Sequence, residues 1–141
     1  MRNKIMAGIL TIISCFAGCA RKESNPEAVS AAVAAARTWL QIVDAGDYDK
    51  SWNEAAYFFK KAVPQSKWHQ DMTAFRQPLG KIISREVKSS RYTTSVPGAP
   101  DGQYVVIQFT SSYENKKSAI ETVTPTLDPD SKWRVSGYFI K

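Results

Sequence analysis

The apolar residues change their spacing near the middle of the chain, and this change limits the folds that the chain can adopt. Between residues 26 and 80 they recur at steps of three and four, which is the spacing along one face of an α-helix. From residue 82 onward, runs such as Val105, Ile107 and Phe109 alternate with their neighbours, which is typical of strands. A helical half followed by a strand half predicts an α+β protein with helices packed on one face of a sheet.

Residues with strong end preferences divide the first half into three helices. Asn25 precedes a proline and a glutamate, so we expect it to cap the first helix, which ends at Gly46. Asp47 is expected to cap a second helix that runs to Phe59, and Pro64 begins a third.

Three turn signals divide the second half into four strands. They lie at Pro97–Gly102, Glu114–Lys117 and Asp128–Ser131. Because such short connections join neighbouring strands, we predict a four-stranded antiparallel meander. Pro125 falls within the third strand and cannot donate to the hydrogen-bond ladder, so that strand either lies at an edge or contains a bulge.

Three helices followed by this meander resemble, in the order of their elements, the nuclear-transport-factor-2-like domains. In that family a curved sheet wraps around the helices into a cone that often encloses a pocket. The resemblance implies a cone-shaped fold and, as one functional alternative, a small enzyme that uses such a pocket. Because one fold hosts many functions, element order alone does not decide between an enzyme and a binding module.

The N-terminal residues have the features of a secretory signal. Arg2 and Lys4 precede an apolar run, Ile5–Phe16, which is too short for a membrane-spanning helix. The run leads into Ala-Gly-Cys at Cys19, which resembles the lipobox of bacterial lipoproteins. In that family the cysteine is lipidated and the chain is cut before it. The alternative is an ordinary signal peptide that is cut near Ala20.

The lipobox resemblance divides the chain into three parts and implies a place in the cell envelope. Residues 1–18 are the signal peptide, 19–25 the lipidated cysteine and tether, and 26–141 a single domain. Ala20 is not the aspartate that retains lipoproteins in the inner membrane of enteric-type bacteria, so the resemblance implies an outer-membrane protein that faces the periplasm. Without Arg2 and Lys4, 17 basic and 13 acidic residues remain, and this formal net charge of +4 favours anionic surfaces; export excludes nucleic acid as a partner.

The supply of reactive side chains limits the chemistry of the domain. Both cysteines, Cys15 and Cys19, lie in the targeting segment, so the domain has no disulfide, thiolate nucleophile or cysteine-bound metal. His69 is the single histidine, and we expect it to face solvent from the third helix. The three aspartates in residues 44–49 lack the spacing of a calcium loop. We therefore expect no catalytic residue, no metal site and no cofactor.

Seven aromatic residues are numerous for one domain and have two interpretations. They line a hydrophobic pocket for a small ligand, or they form the core between the helices and the sheet. They are Trp39, Tyr48, Trp52, Phe59, Trp68, Phe75 and Tyr104.

Four charged residues lie on the predicted strands. We expect them to form surface pairs, and any that points inward would form a polar floor beneath the helices. They are Glu86, Arg91, Glu121 and Arg134.

The domain also resembles a bacterial family known as domain of unknown function 4019. The match extends over nearly all of residues 30–141 and combines tryptophans with glycine turns; Pro64 and Pro125 depart from its pattern. It rests on Trp39-Leu40, Asp44 to Tyr48, Ser51-Trp52, Pro78-Leu79-Gly80, Pro97 to Val106, Glu121 to Val123 and Trp133 to Tyr138. The family implies no activity and no catalytic residues. We therefore expect a non-enzymatic lipoprotein that binds an envelope protein or a small apolar ligand.

Overall fold

A computed structural model describes residues 24–141, and the predicted signal peptide, Cys19 and most of the tether lie outside the described residues. The described chain is α+β, as predicted. Its helices are α1 (Pro26–Asp44), α2 (Tyr48–Asn53), α3 (Tyr57–Ala62) and α4 (Gln65–Phe75), followed by a 3₁₀ turn (Gln77–Leu79). Its strands are β1 (Ile82–Thr93), β2 (Tyr104–Tyr113), β3 (Lys116–Leu127) and β4 (Trp133–Ile140).

The four strands form one open sheet in the order β1-β2-β3-β4, and each neighbouring pair is antiparallel. This confirms the predicted meander and makes β1 and β4 the edge strands. Pro125 lies in the central strand β3, where the register against β4 shifts between Val123 and Pro125. The bulge, rather than an edge position, is therefore how the strand accommodates its proline.

The predicted caps position the first two helices. The side chain of Asn25 accepts a hydrogen bond from the amide of Ala28, and Asp47 accepts one from the amide of Lys50. Gly46 takes a φ of 78°, the left-handed conformation that ends α1 and turns the chain into α2. None of the helices within residues 24–141 is long and apolar enough to cross a bilayer.

The second predicted helix is two helices, so the described chain has four α-helices rather than three. The interruption lies at Ala55 and Ala56, which are both fully buried. The amide of Ala56 donates to the carbonyl of Val135 on β4 at 2.8 Å, so this segment bonds to the sheet edge instead of continuing the helix. The pattern of apolar residues cannot reveal such a contact between distant parts of the chain.

The core lies between the helices and the inner face of the sheet. Trp39 on α1 and Trp68 on α4 fix the helices to one another through Ser51 on α2. The Trp39 indole donates to the Ser51 carbonyl at 2.8 Å, and the Trp68 indole donates to the Ser51 hydroxyl at 3.0 Å. The indole donors are therefore satisfied while the rings supply apolar area.

Candidate functional site

A groove opens between α4 and β4, at the edge of the sheet. It has a cavity volume of about 500 Å³. Its apolar lining comes from Trp68, Met72, Phe75, Leu79, Tyr138, Phe139 and Ile140, and its charged lining from Asp71, Arg76, Lys116 and Lys141. We call it the α4–β4 groove.

Two phenylalanine rings beside this groove are unusually open to solvent. Phe75 is 71% exposed and Phe139 is 58% exposed. Phe75 is the last residue of α4, one turn beyond the buried Met72. Phe139 follows Tyr138 on β4, which has no further strand on its outer side within residues 24–141. Exposed rings next to a concave apolar surface are typical of a binding surface.

A buried ionic network forms the wall behind the groove. Its centre is Arg85 on β1, which reaches Asp44 at the end of α1 and Glu121 on β3. The guanidinium Nε donates to Glu121 Oε1 at 2.6 Å, and Nη1 donates to Asp44 Oδ2 at 2.7 Å. With Arg76, Ser111 and Tyr138, these three residues make up what we call the Arg85 network.

Glu121 is fully buried and accepts hydrogen bonds at both carboxylate oxygens. Ser111 and Tyr138 donate to it through their hydroxyl groups, in addition to Arg85. Burial alone would raise the pKa of Glu121, but the hydrogen bonds and charge of Arg85 outweigh it and hold that pKa below its ordinary value. The carboxylate therefore stays ionised inside the protein.

Glu121 also acts on the groups around it. Burial, followed by the negative charge of Glu121, raises the pKa of the Tyr138 hydroxyl well above its ordinary value. Burial opposes the charge on Arg85, but its hydrogen bonds to Asp44 and Glu121 raise the Arg85 pKa above its usual range. Glu121 and Arg85 therefore stay charged, and the Tyr138 hydroxyl stays neutral.

Arg76, just after α4, belongs to both the network and the groove. It is 3% exposed; one Nη donates to Asp44 at 3.2 Å and the other to the carbonyl of Gly80 at 2.6 Å. Its guanidinium carbon also lies 4.6 Å from the centre of the Tyr113 ring. Two arginines thus face two carboxylates, so the network is balanced in charge and ties α1 and the segment after α4 to the sheet.

The seven predicted aromatic residues do not come together in one place. Trp39, Tyr48 and Tyr104 are buried, and Trp52 and Phe59 are partly buried and pack against the core. Trp68 is a core residue that also borders the α4–β4 groove, and Phe75 borders the groove from the solvent side. Most of the seven residues therefore belong to the core, and two of them, Trp68 and Phe75, border the groove.

His69 and the aspartates of the α1–α2 turn serve separate contacts. His69 Nδ1 lies 3.0 Å from Asp49 Oδ1, and both side chains are more than half exposed. Asp47 caps α2, while Asp44 belongs to the Arg85 network. Among the described residues, no three His, Cys, Asp or Glu side chains are grouped to hold a metal ion.

The charged strand residues follow both of the outcomes considered above. Glu86 and Arg91 are exposed, and Arg134 pairs with Asp130 at 2.7 Å near the surface. Glu121 points inward, so the expectation of a surface pair is wrong for this residue, and it forms the polar floor instead. Its partner Arg85 was not among the candidates. The continued alternation Phe109, Ser111, Tyr113 was a signal that the inner face becomes polar there.

Comparison with known proteins identifies a family but no relative of known activity. A family model described as "Protein of unknown function (DUF4019)" matches residues 35–138. No curated protein and no solved structure matches the chain. The matched region contains every member of the Arg85 network and most of the α4–β4 groove.

Proposed function

The chain belongs to the DUF4019 family of proteins of unknown function, and from that premise we propose that it is a lipid-anchored module of the cell envelope that binds an apolar ligand in the α4–β4 groove. The observation that carries the proposal is the pair of exposed rings, Phe75 and Phe139, beside a cavity of about 500 Å³. That volume lies within the range of roughly 300–1,000 Å³ that is usual for small-molecule sites.

Two other large hollows among the described residues lack the apolar lining of this groove. One measures about 710 Å³ and lies between the start of α1 and β1, and no large apolar side chain that is strongly exposed lines it. The other measures about 510 Å³, and its exposed ring, Tyr57, stands among charged side chains such as Lys60 and Arg134. The α4–β4 groove combines concavity with unburied apolar surface, and this combination favours an apolar ligand.

The proposed anchor is Cys19, and the length of α1 separates it from the groove. The tether would join the domain at Asn25, whereas Asp44 at the other end of α1 contacts Arg76, which lines the groove. The 19 residues of α1 span about 28 Å. We therefore propose that the groove takes its ligand from the periplasm rather than from the bilayer beneath the anchor, and that this bilayer is the outer membrane.

The finer form of the fold is part of the proposal. We propose a nuclear-transport-factor-2-like cone, because helices cover one face of a meander and the inner face becomes polar at Ser111 and Glu121. We favour binding over catalysis, because both carboxylates of the Arg85 network are already engaged by arginines. An enzyme of this fold would need an inward acid or base that is free to exchange its proton.

The anchor is tested by labelling cells with radioactive palmitate. The wild-type chain should take up the label and fractionate with membranes, because lipid chains hold it there. A Cys19→Ser variant should take up none. Membrane fractionation of that variant, together with an unlabelled wild type, would show that the chain is not a lipoprotein.

The groove is tested with Nile red, a neutral dye that fluoresces in apolar surroundings. The protein is the mature chain, residues 19–141, with Cys19→Ser; it retains residues 24–141, to which every described element and core contact belongs. Phe75→Ala and Phe139→Ala should each weaken dye binding by about tenfold to a hundredfold, because burying such a ring against a ligand contributes about 1.5–3 kcal/mol.

The matched control is Tyr57→Ala. Its ring is 57% exposed, nearly the same as that of Phe139, but it lies on α3 and lines the separate hollow of about 510 Å³ rather than the groove. Dye binding should be unchanged in this variant. If the wild type fails to bind the dye, or if all three variants weaken it equally, the groove is not the binding site.

A further inference from the structure

We infer that the ligand of the α4–β4 groove is an anionic amphiphile, a single acyl chain whose carboxylate head lies against Lys116. The inference rests on the proposed function and names the chemical class of its ligand. The acyl chain would lie along the apolar lining between Phe75 and Phe139, with the head at the rim of the groove.

The charged side chains of the groove differ in whether they are already paired. Asp71 Oδ1 accepts from Lys67 Nζ at 2.6 Å, and Arg76 is engaged by Asp44. Within residues 24–141, neither Lys116 nor Lys141 makes an ion pair. The groove therefore presents amines without counter-charges beside an apolar surface, which is complementary to an acyl carboxylate.

We assign the head group to Lys116 rather than to Lys141. Lys116 is half-buried at the start of β3, whereas Lys141 is exposed. Two hydrogen bonds of the preceding residue, Asn115, hold the start of β3 close to the apolar wall. The Asn115 main-chain amide donates to the carbonyl of Leu79 at 3.0 Å, and the Asn115 side chain donates to the carbonyl of Pro78 at 3.0 Å.

The neighbouring wall excludes a second anionic group deeper in the groove. Glu121 lies behind Tyr138, and its carboxylate is shielded by Arg85 and the Tyr138 hydroxyl. Both network arginines are already matched by carboxylates, so the deeper part of the groove carries no net charge. A ligand with one charged end and one apolar end fits this distribution, whereas a ligand charged along its length does not.

The experiment measures binding of three probes to the mature Cys19→Ser chain by calorimetry, below the concentration at which each probe aggregates. The probes are laurate, dodecanol and dodecylammonium, which share a 12-carbon chain and differ in head charge. We expect laurate to bind at least fivefold more tightly than dodecanol, and dodecylammonium to bind most weakly. Raising the salt concentration should weaken the binding of laurate and leave the binding of dodecanol unchanged. Shortening the acyl chain of the carboxylate probe should lower its affinity by about fourfold for each methylene removed.

Lys116→Gln and Lys117→Gln provide the matched pair of variants. Lys117 is the next residue, is exposed, and does not line the groove. Lys116→Gln should lower the affinity for laurate by about five- to tenfold and leave the affinity for dodecanol unchanged. Lys117→Gln should change neither affinity.

The outcomes separate this inference from the proposed function. Equal binding of laurate and dodecanol, or a preference for dodecylammonium, overturns the anionic head while Nile red binding keeps the groove. If none of the three probes binds while Nile red still does, the ligand is not an amphiphile. An apolar peptide that displaces laurate and protects β4 amides from exchange would instead identify a protein partner, and would also overturn it. Loss of Nile red binding as well refutes the groove itself.

Discussion

The Arg85 network and the α4–β4 groove lie side by side and share Arg76 and Tyr138. They differ in which groups they bury and which they expose. In the network, charged groups are buried, and each of the four carboxylate oxygens accepts a hydrogen bond from an arginine. In the groove, apolar rings are exposed. Buried charge is tolerated when it is paired, whereas exposed apolar surface of this kind needs a partner from outside. We therefore expect substitutions in the network to change stability and substitutions in the groove to change binding.

The largest effect should come from Arg85→Ala. This change leaves the carboxylates of Asp44 and Glu121 inside the protein without their shared counter-charge, and removing one partner from a buried ion pair costs about 3–5 kcal/mol. The free energy of unfolding, measured by urea denaturation with circular dichroism, should fall by that amount.

Arg91→Ala is the control for this prediction. Arg91 lies on the same strand but is exposed, so its removal should change the free energy of unfolding by less than about 0.5 kcal/mol. Equal losses in the two variants would mean that the network does not stabilise the fold more than a surface charge does.

A second prediction concerns pH. Because Arg85 holds the pKa of Glu121 below its ordinary value of 4.5, the unfolded chain binds a proton at Glu121 more readily than the folded chain does. The stability that Glu121 contributes is therefore complete above about pH 5, and it is lost as the pH falls through 4.5 and then through the folded pKa. Urea denaturation at several pH values should show a flatter acid dependence in Glu121→Gln than in Glu86→Gln, whose parent residue is exposed. Identical slopes would contradict the inferred ion pair.

Tyr138→Phe tests whether the shared residue has separable roles. It removes the hydroxyl that donates to Glu121 but keeps the ring that lines the groove. A hydrogen bond to a charged group contributes about 1.5–3 kcal/mol, so the free energy of unfolding should fall by about that amount while Nile red affinity stays within twofold. Tyr92→Phe, which removes a partly exposed hydroxyl bonded to Gln103, should cost less. A large loss of dye binding in Tyr138→Phe would show that network and groove act as one unit.

Local signals in the sequence were sufficient for the four strands and for the caps of α1 and α2. Asn25, Gly46 and Asp47 act through bonds within three or four residues, so their roles could be predicted from neighbouring residues alone. The same holds for the meander, whose turns are short, and for the alternatives offered for Pro125.

Contacts between distant residues account for what the sequence did not reveal. The break between α2 and α3 depends on a bond from Ala56 to Val135, and the inward position of Glu121 is stabilised by Arg85, 36 residues earlier. The sequence left open whether the seven aromatic residues form a core or a pocket, because only the meeting of α4 with the sheet edge decides which rings are covered. Phe75 continues the apolar face of Trp68 and Met72, yet it lies where the sheet no longer covers that face.

The smallest stability effect should therefore come from Phe75→Ala, and its comparison with Phe109→Ala sharpens the contrast between the groove and the interior. Phe109 on β2 is fully buried, so its truncation removes packed area, leaves a cavity and should cost about 3–5 kcal/mol. Phe75 is 71% exposed, so the same truncation should change the free energy of unfolding by no more than about 0.5 kcal/mol. If Phe75→Ala instead destabilised the protein by several kcal/mol, its ring would belong to the core and its exposure would no longer point to a ligand. A small cost in urea denaturation together with the loss of Nile red binding is the combination that only a surface kept for binding produces.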